Sequence, residues 1–256
     1  MIGIIAGKEL RSLFSSPLAW VVLALLQVVM GYVFLKRLDD FLQIQPQLVQ
    51  LASPPGFTEL VAGPLFATCA VVFVFAIPLL GMRLVSEERR NQTMVLLTTA
   101  PLSMTELVLG KFLGLAAFVA LIVGLTAMMP VSMAGSTSLD WGLLASQAGG
   151  VLLLALGFAA VSLYISCLTM HPMAAAFGGF SSLLAMTLLG DTAIEGLQAR
   201  QWTLPASFVQ VFAPIKNFEP LSRGMVDTAS IACSVLLIVT FITLTIRHLD
   251  ARRLRG

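Results

Sequence analysis

Residues 83–111 read RLVSEERRNQTMVLLTTAPLSMTELVLGK, a short polar island between two long apolar runs. Arg83, Glu87, Glu88, Arg89, Arg90, Glu106 and Lys111 give it seven of the chain's 28 formal charges (15 basic, 13 acidic). The charged run continues into Thr93, Leu96 and Leu97, which supply an apolar underside, and it stops at Pro101. This pattern predicts a helix on or just outside a bilayer surface, displaying charge to something soluble. A merely solvated loop is the plainer alternative, since exposed ion pairs contribute only about 0–1 kcal/mol. The apolar underside and the abrupt stop favour the helix.

The flanking runs place the chain in lipid. Of 256 residues, 58% are hydrophobic and 11% charged, and the mean hydropathy is +0.94. Soluble domains carry about 25% charged residues, so this surface requires a bilayer, and the length leaves room for one membrane domain. The net charge of +2 gives no reason to expect a nucleic-acid partner. Cys69, Cys167 and Cys233 lie scattered in apolar runs and read as small buried hydrophobes, not a disulfide framework.

Working outward, about 20 apolar residues cross the hydrocarbon core. The spans expected on that rule are 18–35, 60–82, 107–130, 142–168, 173–190 and 229–246. Ser103 and Glu106 form an S-x-x-E capping box opening the third span. Lys111, one turn inside, is expected to snorkel back to the surface. From Trp141 to Gly190 there is no Asp, Glu, Lys or Arg, too long a run for one helix. The break is expected at residues 167–172, where Thr169, His171 and Pro172 interrupt it. Residues 41–59, with Pro46, Pro54, Pro55 and Gly56, read as an extramembrane loop. Residues 191–228 read as an extramembrane segment carrying short interfacial helices.

Residues 1–16 show Ile2, Ile5, Ala6, Leu10, Leu13 and Phe14 at helical spacing, with Lys8, Glu9 and Arg11 mostly on the other side. They predict an amphipathic helix in the interface plane. A signal peptide is rejected, because the next apolar run is too long and no A-x-A site ends it. With both termini on one side, that side holds ten Lys and Arg against five on the other. The positive-inside rule then places the termini and the polar island in the cytoplasm, and 191–228 outside.

Chemistry within the chain is sparse. Gly110-Lys111 is followed by Phe112, and position 105 is threonine where a P-loop needs glycine, so nucleotide must be bound elsewhere. No serine or carboxylate has a base beside it within the bilayer, which argues against an intramembrane hydrolase. An ion-coupled secondary transporter is a weaker alternative, since the spans lack ionisable residues away from their ends. Cys167, Met170 and His171 have soft-ligand chemistry at helical spacing, but read better as a polar helix end beside Pro172. No metal is expected.

The run E-E-R-R-N-Q-T-M-V-L-L-T-T-A-P-L-S at 87–103, with Gly110-Lys111 after it, resembles the permease subunits of type-2 ABC exporters. The stretch N-F-E-P-L-S-R-G-M-V-D at 217–227 is similar to an F-x-P-x-x-R-G-x-x-D signature before the last helix, carried here by Phe218, Pro220, Arg223, Gly224 and Asp227. With K-E-L-R-S-L-F-S-S-P at 8–17, the resemblance points to the gliding-motility-type branch, related to permeases of nitrous-oxide-reductase maturation systems.

That resemblance implies an all-α, six-helix permease of the bacterial inner membrane, itself non-catalytic. It implies pairing with a second permease copy, as homodimer or with a relative, and with two cassette ATPases that hold ATP and Mg. Lys8, Glu9 and Arg11 would lie on its connecting helix. Glu87, Glu88, Arg89, Arg90, Thr93, Leu97 and Pro101 would form the coupling helix, and Thr169 and His171 a second cytoplasmic contact. Residues 191–228 would form an external gate, and an extracytoplasmic auxiliary subunit accompanies some relatives. The implied function couples ATP hydrolysis to substrate movement, with export the expected direction. Transmission of motion to an outside partner without transport is the alternative.

Overall fold

Helix breakers and caps divide the apolar chain into its elements. A computed structural model describes residues 1–48, 55–90, 103–199 and 209–253. Helix α1 spans Ile2–Ser15 and α2 spans Pro17–Leu48. They meet at Ser16, whose backbone is extended, as expected for a residue preceding proline. The indole of Trp20 braces this elbow by donating to the Phe14 carbonyl at 2.7 Å. A π-helical turn, Thr58–Ala62, runs directly into α3, Gly63–Gly81. Helix α4, Arg83–Arg90, follows α3 across a single turn residue, Met82.

Helix α5, Met104–Val131, starts with the capping box read from sequence. The Ser103 hydroxyl accepts from Glu106 N at 3.2 Å, and the Glu106 carboxylate accepts from Ser103 N at 3.3 Å. Helix α6, Trp141–Leu168, is capped by Asp140, whose Oδ1 accepts from Leu143 N at 3.1 Å. Helix α7, Pro172–Ala199, restarts after the expected break. A short α8, Pro214–Ser222, precedes α9, Thr228–Arg253.

Six of these segments are long and apolar enough to cross a membrane: Pro17–Gln47, Thr58–Arg90, Met104–Val131, Trp141–Leu168, Pro172–Gly190 and Thr228–Ala251. The protein is an all-α, multi-pass membrane protein, and no strand occurs among the described residues. Helix α6 is the hub. Its apolar window is 67% buried against 28% for the first and last spans, and it packs on α3, α5, α7, α8 and α9. The centre is filled by Phe66, Phe73, Phe118 and Phe158 with Leu65, Ile77, Leu115 and Ile122.

Three helices run on past the expected spans. The loop expected from residue 41 is helical through Leu48. Lys36 to Asp40 mark where apolar sequence ends, but hydrogen bonding along the helix continues. The extension is supported by Gln43 donating to Asp39 Oδ2 at 3.0 Å and by Phe41, edge-on to Phe57 with ring centroids 5.4 Å apart. Thirty-two residues make a helix of about 48 Å, so its end projects well past a core about 30 Å thick. Helix α7 likewise continues past Gly190 to Ala199, and α9 past Ile246 to Arg253.

Candidate functional site

Helix α4, the start of α5, the end of α6 and the polar side of α1 gather at one end of the bundle. The local cause begins at Met82. Gly81 lies so close to Ser162 of α6 that a Cβ there would sit 3.0 Å from the serine Cβ. One turn on, the Ser166 hydroxyl donates to the Met82 carbonyl at 3.0 Å and accepts from the Val85 and Ser86 amides, each at 3.2 Å. The Ser86 hydroxyl also bonds to the Met82 carbonyl. The bend between α3 and α4 is therefore held by polar groups from α6, as a buried break in a helix requires.

Successive residues of α4 point in different directions, and this sorts the charged run. Leu84, Val85 and Ser86 are buried. Arg83, Glu87 and Arg90 are exposed along one outer face, at spacings of four and three. Glu88 and Arg89 turn inward. Arg89 donates to the Cys167 carbonyl, placing its charge at the C-terminal, partially negative end of α6.

Glu88 reaches Lys111, and here the snorkelling expectation is corrected. Lys111 is only 1% exposed. Its ammonium donates to Glu88 Oε1 at 2.7 Å and to Glu9 Oε1 at 2.9 Å. Lys8 sits 3.6 Å from Glu88 and 3.7 Å from Glu9, so among the described residues two ammonium groups face two carboxylates. Lys111 stays inside because α1 covers it. Gly110 and Gly114, one turn apart on α5, leave a groove into which α1 settles. A Cβ on Gly110 would come within 2.6 Å of Ile5 Cβ, and one on Gly114 within 2.7 Å of Glu9 Cβ. Thus Glu9 is buried while Lys8 and Arg11 remain exposed. A cavity of about 560 Å³ adjoins the cluster, bounded by α1, the start of α2 and α4, with Lys8, Ser12, Ser16, Arg83, Glu87 and Glu88 among its walls.

Thr169 and His171 form the short connection from α6 to α7 at this same end. The Thr169 hydroxyl accepts from His171 N at 3.0 Å, and the His171 side chain is exposed. Cys167 is buried while Met170 and His171 face outward, so these three do not converge on a common point. Among the described residues no group of three or more His, Cys, Asp or Glu is placed to hold a metal. Thr93, Leu97 and Pro101 lie outside the described residues.

The Phe218–Asp227 signature belongs to the opposite end and docks α8 onto the first half of α6. Phe218 is buried, and Gly150 admits it: a Cβ there would lie 2.8 Å from Leu221 Cβ and 3.1 Å from the Phe218 ring. Ser146 Oγ donates to the Leu221 carbonyl at 2.9 Å, and Gln147 Nε2 to the Ser222 carbonyl at 3.0 Å. Pro220 falls within α8, and Arg223 pairs with Glu219 at 2.6 Å. Gly224 has φ +78°, a left-handed position suited to glycine. Asp227 caps α9, accepting from the Ser230 hydroxyl at 2.8 Å and from the amides of Ala229 and Ser230 at 3.2 and 3.1 Å. The hydrogen bond from the Ser230 hydroxyl, then those from the two amides, hold its carboxyl below the ordinary carboxylate range.

Sequence reading missed the inward roles of Lys111, Glu9 and Glu88, the Gly110/Gly114 groove and the Ser166 clamp. The available signal was a lysine inside an apolar span beside glycines spaced by four, since ionisable residues in spans mark special sites. A family model described as ABC-2 family transporter protein matches residues 4–254. No curated protein matches the chain.

Proposed function

The chain belongs to the ABC-2 family of transporter proteins, and on that premise we propose that α4 is where a partner ATPase takes hold of this permease subunit. The observation that carries this reading is the two-sided geometry of α4. Its outer face presents Arg83, Glu87 and Arg90, while Ser166 and Arg89 fasten its inner face to α6. A load applied to the outer face reaches the membrane-spanning helices without an intervening flexible linker among residues 58–90.

Two cassette subunits, which bind ATP and Mg, work on two copies of the permease in this reading. Closing of the cassettes on ATP shifts α4, and α3 and α6 repack with it. Only the preference of nucleotide for the closed state supplies the work. Thr169 and His171 offer a smaller second contact at the same end, beside the exposed Lys8 and Arg11 of the connecting helix. The positive-inside count supports a cytoplasmic position for this end, in a bacterial inner membrane. Export is the direction, and the 87–103 and 217–227 motifs support the gliding-motility-type branch. The segment around α8 then faces the outside, where an auxiliary subunit would bind.

The test reverses the outer charges, Glu87→Lys with Arg90→Glu, and co-purifies the cassette with wild-type and variant permeases at matched expression. Exposed positions shift stability by under about 0.5 kcal/mol, so insertion and melting should be unchanged. Cassette recovery should fall, because charge complementarity sets encounter and register. Equal recovery and equal ATPase stimulation would remove α4 as the docking element.

A further inference from the structure

The Glu9–Lys111–Glu88 cluster is largely buried, and it joins three helices that separate parts of the sequence supply. Helix α4 packs chiefly on α6 and α7, whereas α1 packs along α5. The ammonium of Lys111 connects these two sets, with one bond to α1 through Glu9 and one to α4 through Glu88. Beside the bridge, the space between α4 and the α1–α2 elbow is the cavity of about 560 Å³. Among the described residues polar links, not close packing, tie α4 to α1: the buried ionic bridge, and at the exposed elbow after α1 a hydrogen bond from Arg83 to Ser16 Oγ at 3.2 Å.

A buried ion pair is a poor device for stability alone, because apolar residues of similar volume often serve as well or better. An ionisable residue inside a spanning helix usually has another task. Lys111 is 1% exposed, so it does not touch a docked partner. We propose that Lys111 is a positioning residue that makes α1, α4 and α5 move as one body, so that a displacement of α4 is delivered to the far end of α5. This rests on the reading of α4 as the ATPase-docking element. Val131, the last residue of α5, lies about 30 Å along the helix from Lys111, so the bridge transmits motion to the opposite membrane face.

The experiment uses the full-length permease with the cassette that co-purifies with it. Lys111→Met alone leaves two carboxylates without their main partner and risks misfolding. The triple variant Glu9→Gln, Glu88→Gln, Lys111→Met removes the ionic link without leaving a buried charge. A reporter cysteine replaces the exposed Ser136, beyond the end of α5, in a Cys233→Ser background; Cys69 and Cys167 are buried. The readout is the nucleotide-dependent change in labelling rate at position 136, beside cassette recovery and ATPase activity.

The expected result is a folded triple variant that still recovers the cassette and hydrolyses ATP, with the labelling change reduced about five-fold or more, the lower range of coupling between linked sites. An undiminished labelling change would overturn the proposal. Loss of cassette recovery in the triple variant would also overturn it, by making the cluster part of the docking surface. Failure of the wild-type permease to recover a cassette, or to change at position 136 on nucleotide, would remove it as well. The first of these two failures would sink the docking reading itself; the second would leave docking intact.

Discussion

Gly114→Ala is the most direct probe of how α1 is seated, because the structure supplies both the clash and its control. A Cβ at position 114 would lie 2.7 Å from Glu9 Cβ, 3.1 Å from the Ala6 carbonyl oxygen and 3.4 Å from Leu10 N. Carbon atoms in comfortable contact are about 3.5–4.0 Å apart, so the shortfall at Glu9 is about 1 Å. None of the three obstructing atoms moves by a change of rotamer, so α1 itself must retreat. A retreat of that size lengthens the 2.9 Å bond between Lys111 and Glu9 to roughly 3.9 Å, beyond hydrogen-bonding range. Overpacking of this kind costs about 1–3 kcal/mol; loss of a charge-assisted hydrogen bond adds to it, and the better helix propensity of alanine offsets up to about 1 kcal/mol. The net loss of about 1–3 kcal/mol corresponds to a fall of roughly 2–12 °C in melting temperature for a chain of this length. Gly124→Ala in the same helix meets no heavy atom within 4 Å and should melt at or above the wild-type temperature. The assay is thermal unfolding of both variants in one detergent, with amide exchange followed over Ile2–Ser15. Equal melting of the two variants, or unchanged protection of α1 in Gly114→Ala, would refute the seating of α1 in the Gly110/Gly114 groove.

Three further outcomes follow from the same geometry. Lys111→Met should cost about 3–5 kcal/mol, the usual result of breaking a buried pair, and adding Glu9→Gln and Glu88→Gln should restore most of it in thermal unfolding; a triple variant no better than the single would argue against ionic pairing at Lys111. Gly224→Ala places a side chain at φ +78° with its Cβ 2.9 Å from Leu143 Cδ1, so it should lose about 1–2 kcal/mol through backbone strain, and an unchanged melting temperature would contradict the left-handed turn. Asp227 has a carboxyl held below its ordinary value, so the stabilisation it gives is complete above the unfolded carboxylate pKa and is lost as pH falls through the lowered folded value; Asp227→Asn should flatten that acid-side loss, and a melting profile identical to wild type across the acid range would exclude the cap as its source.

What could be read from sequence was what depends on near neighbours. The capping box from Ser103 to Glu106 lies within one helical turn and formed as read. The break around Thr169 and Pro172 needs only a proline and a short polar turn, and α6 and α7 stop and start there. Apolar runs and their length gave six candidate spans. What could not be read depends on packing between remote segments. Lys111 and Glu9 are 102 positions apart, and hydropathy treats a lysine near a helix end as bound for water unless another helix is known to cover it. Helix α2 shows the converse: charge at Lys36–Asp40 marks the membrane boundary, but a helix ends only where its backbone hydrogen bonding fails. The 217–227 signature was legible as a pattern, whereas its physical content, docking of α8 on Gly150 and capping of α9, needed coordinates.

In the docking reading, the order Glu87-Glu88-Arg89-Arg90 lets one short run serve both a membrane bundle and a soluble partner. At about 100° per residue, Glu87 and Arg90 fall within about 60° of each other, and Glu88 and Arg89 occupy the opposite side. Each face therefore receives one acid and one base. The inner pair finds complementary groups already in place, Lys111 for Glu88 and the α6 carboxyl end for Arg89, so charge adds to the burial of Leu84 and Val85 in holding α4. The outer pair, joined by Arg83, keeps its charges in water, where exposed ion pairs add little to folding and remain available to a partner. A doubly acidic run of the same length would put like charges on both faces and leave Arg89's place at the α6 carboxyl end occupied by a carboxylate. The order thus separates the residues that hold the helix from those that the docking proposal assigns to the ATPase, and it predicts that charge reversal on the two faces will fail in different ways: the inner face in folding, the outer face in assembly.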